Sequence, residues 1–315
     1  MNDGPVLVTG ASGFVGRYLL EQLRTTHSEV VGWSRSPVAA ELAGAAAWQR
    51  VDVTKREQVR SALRDLQPRQ VYHFAGATHV GRSWTMPAET LEANVLATHH
   101  LLDGLGRAGV RARVLISGSA TVYAPSTVPL AETAPLAPDS PYGLSKLAQE
   151  MLSVRAAAED GIDVVVTRSF NHTGPGQPPS FVAPSFARQI ARIERGLQEP
   201  VLKVGNLDAL RDLTDVRDVV RAYTALMTSG TTGEIYNVAS GIGRPIRAIL
   251  DTLVAAATVP VRVEVDPDRV RTIDTSALIG DASKLRTLTG WTPLIAFERM
   301  MSDLLTYWRA NSPGK

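Results

Sequence analysis

Near its start the chain carries the segment Val6-Leu-Val-Thr-Gly10-Ala-Ser-Gly13-Phe-Val-Gly16. Residues 6–9 form a short, mostly apolar run typical of a strand, and Val15, Leu19 and Leu23 then recur at helical spacing. A glycine-rich turn between a strand and a helix lets the backbone approach a pyrophosphate, which the free N–H groups of the helix N-terminus can bind. The segment therefore predicts a dinucleotide-binding strand–turn–helix unit, although a tight turn that only packs helix on strand is the alternative.

Strands and helices alternate beyond this segment. The predicted strands cover residues 30–33, 48–53, 71–74, 114–117 and 164–167, and the predicted helices cover residues 56–66, 87–106 and 142–159. Such alternation over about 170 residues is typical of an α/β protein with a doubly wound parallel sheet, the Rossmann fold. Shorter elements follow, so we expect a smaller C-terminal α/β lobe. We predict a Rossmann domain from residues 1–170 plus 212–240, and a substrate-binding lobe from residues 171–211 plus 241–315.

The composition excludes several classes of protein. The 315 residues include 33 basic and 31 acidic side chains that are interspersed, so nothing indicates a nucleic-acid partner. The absence of cysteine excludes disulfides and thiolate catalysis, and the six histidines show no metal-ligand spacing. No apolar run approaches the length of a membrane span, and no signal peptide precedes the first strand, so we expect a cytoplasmic protein without a membrane partner.

The end of the second predicted strand indicates which dinucleotide is bound. An NAD site usually carries an acid there, but this chain has Ser34-Arg35-Ser36, which suits the 2′-phosphate of NADP(H). An ordinary solvated loop arginine is the alternative. Asp52 could meet the adenine amino group or cap the next turn, and these two roles stay open. The full predicted cofactor site comprises Gly10, Ser12, Gly13, Phe14, Val15, Gly16, Ser34, Arg35, Asp52, Val53, Phe74, Ala75, Gly76, Tyr142 and Lys146.

Three residues form the predicted catalytic set: Ser119, Tyr142 and Lys146. The Tyr-x-x-x-Lys spacing on a helix puts both side chains on one face, where an ammonium would lower the pKa of the phenol. Ser119 follows the fifth strand and could hold a carbonyl oxygen beside that phenol. Such a phenol can pass a proton to or from an alcohol oxygen. An exposed helix pair without a chemical role is the alternative.

Together these motifs resemble the extended short-chain dehydrogenase/reductases that act on nucleotide sugars, essentially from end to end. Within that group the chain looks most like the branch that handles GDP-mannose derivatives. The branch resemblance rests on five further segments, namely Asn171-His-Thr-Gly-Pro-Gly-Gln177, Gly205-Asn-Leu-Asp-Ala-Leu-Arg-Asp212, Asp215-Val-Arg-Asp218, Gly280-Asp-Ala-Ser-Lys284 and Thr289-Gly-Trp-Thr-Pro293.

The resemblance implies a set of substrate contacts. Asn171, Arg211 and Arg271 would hold the diphosphate, Asp274 would accept the nucleotide ribose hydroxyls, and Ser83 would touch the hexose. Surface salt bridges and helix capping are the alternatives. The chain departs from the branch in carrying Thr272 where a proline is common. The resemblance also implies a GDP-sugar and a homodimer that pairs through helices near residues 91–106 and 142–159.

Three functions are compatible with these motifs. The first is an NADPH-dependent reductase of GDP-4-keto-6-deoxy-D-mannose that gives a GDP-6-deoxyhexose, with GDP-D-rhamnose the expected product. The second is a 4-epimerase or a 4,6-dehydratase of the same family. The third is a non-catalytic nucleotide-binding scaffold. Related dehydratases use a carboxylate two residues after the catalytic Ser, where this chain has Thr121, which argues against dehydration. Related epimerases tolerate Ser-Ala-Thr but generally hold NAD, whereas Ser34-Arg35-Ser36 indicates NADP(H), so the sequence favours the reductase.

Overall fold

The computed structural model describes residues 4–269 and 277–312. Its central layer is a parallel sheet of seven strands within those residues. The strands are β1 Val6–Thr9, β2 Val30–Ser34, β3 Ala47–Arg50, β4 Gln70–His73, β5 Arg113–Ser119, β6 Asp163–Ser169 and β10 Ile235–Val238. Their order across the sheet is β10-β6-β5-β4-β1-β2-β3, so the chain starts in the middle and winds outward in both directions. The expected doubly wound parallel sheet is confirmed.

Helices cover both faces of this sheet because side chains alternate along each strand. Leu7 of β1 points into one apolar layer, which includes Val59 and Leu63. Val6 and Val8 point into the opposite layer. The helices associated with the sheet are α1 Phe14–Leu23, α2 Arg56–Leu66, α3 Val80–Ser83, α4 Pro87–Leu91, α5 Ala97–Arg107, α6 Pro141–Glu159, α8 Val216–Ser229 and α10 Ser283–Thr289. These helices exclude water from both faces of the strands, as is usual for a parallel sheet.

A smaller lobe follows the sixth strand. Its strands are β7 Asn171–Thr173, β8 Val201–Val204, β9 Leu210–Asp215, β11 Gly243–Pro245, β12 Arg262–Val265 and β13 Ala277–Leu278, and its helices are α7 Val182–Glu194, α9 Ile246–Ala255 and α11 Phe297–Asn311. The three helices share a separate apolar core that includes Phe186, Ile249 and Leu304. An independent core of this kind lets the lobe keep its shape beside the sheet.

Two contacts bear on the predicted division of the chain. Strand β9 runs through residues 210–215 and pairs with β7, β11 and β13 of the lobe, so the predicted boundary between residues 211 and 212 falls inside one strand. Helix α10 was assigned to the lobe, but Leu285 packs in the same apolar cluster as Val219 and Tyr223 of α8, beside the sheet. The division into two domains stays a prediction.

Two predicted elements differ from the structure. The helix expected over residues 87–106 is interrupted by a π-helical turn at Glu92–Leu96. The turn contains Asn94, which is fully buried and whose side chain accepts a bond of 2.8 Å from Ala77 N and donates one of 2.8 Å to Ser145 Oγ. Such turns commonly mark functional sites. The third strand is also shorter than expected, because Asp52 already lies in the turn that follows it.

Candidate active site

The glycine-rich turn brings the backbone of two strand ends close together. Gly10 has a φ of +66°, and a Cβ there would lie 2.7 Å from the Ala75 nitrogen at the end of β4. Gly16 lets helix α1 sit against this turn, since a Cβ would lie 2.6 Å from the Gly10 carbonyl oxygen. Helix α1 begins at Phe14, so its first N–H groups face the turn. This bare cradle fits a diphosphate, as the sequence predicts.

The end of β2 offers donors and no carboxylate of its own. Ser34 Oγ lies 3.4 Å from Ser12 Oγ and donates a 2.7 Å bond to the carbonyl of Ser36, while Arg35 beside it is exposed. Arg17 adds a second guanidinium, whose Nε donates to the carbonyl of Ser12 at 3.2 Å. Two hydroxyls and two guanidinium groups are the donor set that a phosphate monoester prefers. The residues present therefore fit NADP(H).

Asp52 adopts the turn role that the sequence left open. Its Oδ1 accepts bonds of 3.0 and 2.8 Å from the nitrogen and the hydroxyl of Thr54. Partial burial acts in the opposite direction, but these bonds and the nearby Arg35 guanidinium lower the pKa of the Asp52 carboxyl. The adenine contact stays a prediction.

The other predicted cofactor residues line the same edge of the sheet. The Phe14 ring is stacked 6.2 Å from His172 of β7, and Phe74 lies 5.3 Å from the Tyr223 ring. Val15 is half-buried against the core, and the Val53 carbonyl lies 3.3 Å from His100 Nδ1. Gly13 is exposed at the turn, and Gly76 lies under Asn94, where a Cβ would be 2.4 Å from Oδ1.

The start of helix α6 is fixed by several local features. Ser140 caps it by accepting a 3.1 Å bond from Gly143 N, and Pro141 occupies the first turn, where no backbone N–H is needed. Gly143 allows a close approach, because a Cβ there would lie 2.7 Å from the carbonyl oxygen of Thr121. The helix that carries Tyr142 is thus held directly against the segment that carries Ser119.

The predicted catalytic side chains meet at this contact. Ser119, Tyr142 and Lys146 are 8%, 9% and 8% exposed, so all three lie in a nearly closed environment. Ser119 lies close enough to the Tyr142 phenol to favour its ionised form, and Ser119 Oγ lies 3.0 Å from Thr121 Oγ1. Lys146 Nζ lies 5.9 Å from the centre of the Tyr142 ring. The sequence prediction that these three residues converge agrees with this geometry.

One expectation about their acidity is wrong. The sequence suggested that the Lys146 ammonium lowers the pKa of Tyr142, but burial raises that pKa to about 12, against the hydrogen bond from Ser119. Lys146 Nζ instead donates to the carbonyl of Ser117 at 2.9 Å and to Gln149 Oε1 at 2.8 Å. Burial lowers the pKa of Lys146 to about 8. Near neutral pH the phenol therefore keeps its proton, as a proton donor must.

Two of the predicted sugar-binding residues, Asn171 and Arg211, lie on neighbouring strands of the smaller lobe. Asn171 is exposed at the start of β7, and Arg211 lies half-buried in the neighbouring strand β9, where it donates a 2.9 Å bond to the carbonyl of Leu210. The two strands are adjacent, and Asn171 is paired with Leu213. Arg271 and Asp274 lie outside the described residues.

Ser83 takes a structural role in this arrangement. It is 1% exposed, accepts a 3.1 Å bond from Tyr142 N and donates a 2.7 Å bond to the carbonyl of Val80. Its hydroxyl therefore anchors the catalytic helix, and contact with the hexose stays a prediction.

Sequence reasoning assigned no role to several buried polar residues behind the site. Gln149 bonds Lys146 directly, and Thr98 bonds Gln149. The hydroxyls of Tyr223 and Ser169 share a bond of 2.7 Å. The signal for Gln149 was its position three residues after Lys146, which places both on one helix face. Thr98 and Tyr223 carried no local signal, because their partners are distant in the sequence.

The fold and the site together define an enzyme of the extended short-chain dehydrogenase/reductase type. The family described as GDP-mannose 4,6 dehydratase matches residues 7–304, and the chain belongs to that family. It is 37% identical to the GDP-6-deoxy-D-mannose reductase of Pseudomonas aeruginosa over 97% of both chains.

Solved structures show the same architecture. The structure of RMD from Pseudomonas aeruginosa complexed with NADPH superimposes with a TM-score of 0.85 and 35% identity, covering 98% of this chain and 99% of that one. The UDP-glucose 4-epimerase of Thermus thermophilus in complex with NAD superimposes with a TM-score of 0.87 and 28% identity, over 98% and 99% of the two chains. The expected family and fold are thus confirmed.

Proposed function

We propose that this protein is an NADPH-dependent reductase that converts GDP-4-keto-6-deoxy-D-mannose to a GDP-6-deoxyhexose, with GDP-D-rhamnose the expected product. The observation that carries the proposal is Thr121, whose hydroxyl lies 3.0 Å from Ser119 Oγ. A 4,6-dehydratase needs a base to remove the proton beside the keto group, and a neutral hydroxyl cannot act as that base. The site therefore supports proton donation to an alcohol oxygen, and not elimination of water. The similarity to the reductase of Pseudomonas aeruginosa supports the same assignment.

The catalytic residues have separate roles in this reaction. NADPH, when bound, supplies a hydride to the carbonyl carbon of the sugar. Ser119 donates a hydrogen bond to the carbonyl oxygen, and Tyr142 gives its proton to the same oxygen as negative charge develops there. Lys146 contributes a positive charge 5.9 Å from the ring, which stabilises the phenolate that remains. The proton lost by Tyr142 is later replaced from solvent.

Cofactor choice follows from the second strand. Ser12, Ser34 and Arg35 would hold the 2′-phosphate of NADPH, with Arg17 beside them. The residues of the glycine-rich turn would hold the diphosphate. The complex of the similar structure with NADPH supports this choice.

The substrate diphosphate would lie at the adjacent edges of β7 and β9. Asn171 offers an amide and Arg211 a guanidinium there, and guanidinium groups suit multi-donor contacts with phosphate. Arg271 and Asp274 complete the proposed nucleotide contacts, as the resemblance of the sequence implies.

The decisive experiment supplies GDP-4-keto-6-deoxy-D-mannose with NADPH in D2O, and a parallel sample receives GDP-mannose in its place. A sample without enzyme is the control. A reductase consumes one NADPH per sugar and gives one 6-deoxyhexose without enzyme-dependent deuterium beside the former keto group. Constant NADPH, with deuterium incorporated at that carbon or with loss of water from GDP-mannose, would contradict the proposal. Interconversion of two nucleotide hexoses at constant cofactor would favour an epimerase.

We also propose that the protein forms a homodimer. Helix α6 exposes Leu144 and Met151, which are 53% and 65% exposed, and the helical segment before α5 exposes Leu91 and Leu96 at 38% and 49%. Helix α4 and the π-helical turn pack on α6, so these side chains belong to neighbouring elements. Apolar side chains grouped in this way on two helices favour pairing with a second copy.

A further inference from the structure

Lys146 is connected to the first strand by a continuous line of buried hydrogen bonds. Its Nζ donates to Gln149 Oε1 at 2.8 Å, and Gln149 Nε2 donates to Thr98 Oγ1 at 2.7 Å. Thr98 Oγ1 lies 3.1 Å from His73 Nε2, and His73 Nδ1 lies 2.8 Å from Thr9 Oγ1. The four residues beyond Lys146 are at most 1% exposed. We call Gln149, Thr98, His73 and Thr9 the polar chain.

The protons in the first half of the polar chain can be placed from the chemistry of the groups. The Lys146 ammonium only donates, so Gln149 must present its carbonyl oxygen to it and its amide nitrogen to Thr98. The single hydroxyl proton of Thr98 goes to the carbonyl of Asn94, at 2.7 Å. Thr98 therefore accepts from Gln149 and has a second lone pair for His73. The Gln149 amide cannot be reversed without opposing two donors to each other.

The second half follows from the first. Because Thr98 accepts, the neutral His73 ring carries its proton on Nε2 and accepts at Nδ1 from the Thr9 hydroxyl. Thr9 Oγ1 accepts in turn from Ala75 N at 3.2 Å. Burial and the positive charge of Lys146 lower the pKa of His73 to about 3, so the ring stays neutral. One orientation of each group in the polar chain satisfies all of these bonds.

We propose that Gln149 is a positioning residue for Lys146, held by the polar chain so that its carbonyl oxygen fixes and stabilises the charged ammonium beside Tyr142. This inference rests on the proposed function in one respect, namely that Lys146 takes part in the reaction. Both ends of the Gln149 amide are bonded at 1% exposure, so the direction in which its carbonyl oxygen points is fixed. An ammonium buried without such an acceptor would lose its proton more readily, because a hydrogen bond to the charged form stabilises that form.

Few titratable groups surround the ammonium among the described residues. Tyr142 lies on the same helix, and His73 faces it from β4. Tyr223 of α8 lies near Tyr142 and contributes to raising the pKa of that phenol. From β5 the carbonyl of Ser117 approaches, and it carries no net charge. A substitution of Gln149 should therefore change the pKa of Lys146 directly, and not through another titratable group.

The test compares two substitutions that act in opposite directions. Gln149→Met keeps the length of the side chain and removes the acceptor, so the pKa of Lys146 should fall by about one unit or more. Gln149→Glu places a carboxylate against the ammonium, so that pKa should rise. The chain has five lysines in all, so 13C labelling of the lysine ε-carbon allows Lys146 to be titrated by NMR in the cofactor-free protein. The spectrum of Lys146→Arg assigns the signal.

Gln189→Met is the matched control. Gln189 is 9% exposed and bonds both the nitrogen and the carbonyl of Lys203 in the smaller lobe, so its loss removes a comparable amide without touching the polar chain. It should leave the titration of Lys146 unchanged. Equal titration in the wild type and both Gln149 variants, or shifts in the same direction, would overturn the proposal. If Gln149→Met does not fold, the direction of the shift in Gln149→Glu decides alone.

Turnover separates this inference from the proposed function. The pH at which reduction declines on the alkaline side should move down in Gln149→Met and up in Gln149→Glu. If Lys146→Met reduces the keto sugar at the wild-type rate, the proposed role of Lys146 fails, while the NMR titration still decides the role of Gln149. If Lys146→Met is inactive and the two Gln149 substitutions leave the titration of Lys146 unchanged, the proposed function stands and Gln149 is only structural.

Discussion

The backbone N–H of Tyr142 donates a 3.1 Å hydrogen bond to Ser83 Oγ, which ties the first turn of the catalytic helix to helix α3. Ser83 in turn donates to the carbonyl of Val80 at 2.7 Å, so the hydroxyl is oriented from both sides. A residue that the sequence assigned to the sugar thus determines where the catalytic phenol stands. Its removal should affect the rate more than the binding of NADPH.

Ser83→Ala should lower kcat by about ten- to hundredfold, because small displacements of a catalytic group are costly. The free energy of unfolding should fall by about 1–3 kcal/mol, since a buried N–H loses its acceptor. Steady-state kinetics and urea unfolding measure the two effects. Ser302→Ala, at an exposed position of α11, is the control and should change neither quantity substantially. An unchanged kcat in Ser83→Ala would show that this bond does not position Tyr142.

Tyr142→Phe should lose about 10² to 10⁴ in turnover and still bind NADPH, because only the proton donor is removed. Turnover of the wild type should decline as the pH rises through about 8, where Lys146 loses its proton. Turnover in Tyr142→Phe within about threefold of the wild type would exclude Tyr142 as the proton donor. Tyr72→Phe, at a buried position of β4, is the matched control for loss of a phenol hydroxyl.

Arg35→Ala should weaken NADPH binding by about ten- to hundredfold and leave NADH binding nearly unchanged, because only NADPH has a phosphate at this point. Titration of the two cofactors against the protein, followed by fluorescence or calorimetry, checks this. Arg64→Ala removes another exposed guanidinium, from α2, and should leave both affinities unchanged. Equal weakening of the two cofactors would mean that Arg35 supports the turn and does not read the phosphate.

His73 makes the fold sensitive to acid. Its folded pKa is about 3, against 6.5 for the free side chain, so the unfolded chain binds the proton first as the pH falls. The free energy of unfolding therefore decreases from pH 6.5 downward, by about 2 kcal/mol at pH 5 from this group. In His73→Gln the stability is lower at pH 7.5, but its difference from the wild type should narrow toward pH 5. Urea unfolding of the two proteins between pH 5 and 7.5 measures this difference.

Charged substitutions on the exposed face of α6 test the proposed dimer. Leu144→Arg combined with Met151→Glu should shift the mass measured by light scattering from two chains to one, because charged groups would be buried in the pairing surface. Leu294→Arg, at a position that is 71% exposed and far from these helices in the sequence, should leave the mass unchanged. A wild-type mass of one chain at all concentrations would refute the dimer.

Short-range patterns predicted much of this molecule. The glycine spacing at residues 10–16 and the four-residue step from Tyr142 to Lys146 are local, so the periodicity of a strand or a helix determines where those side chains point. The polar chain could not be predicted in that way. Its bonds join residues separated by 51, 25 and 64 positions, and they exist only once the sheet has formed.

The pKa values of Tyr142 and Lys146 could not be predicted from the sequence either. The spacing of Tyr142 and Lys146 suggested an electrostatic effect, but burial outweighs it, and burial depends on packing from several elements. The role of Ser83 was missed for a related reason. Its partner, the nitrogen of Tyr142, is a backbone group, and no residue type in the sequence marks it.

The contact between Gly143 and the carbonyl of Thr121 has a consequence for how this site can vary among descendants of the same gene. A methyl group would have to fit within 2.7 Å of a backbone oxygen, so any larger residue at position 143 drives the tyrosine helix away from Ser119. The side chain of Thr121 takes no part in this contact, so we expect a substitution there to change the chemistry without displacing the helix, whereas a substitution at position 143 displaces it.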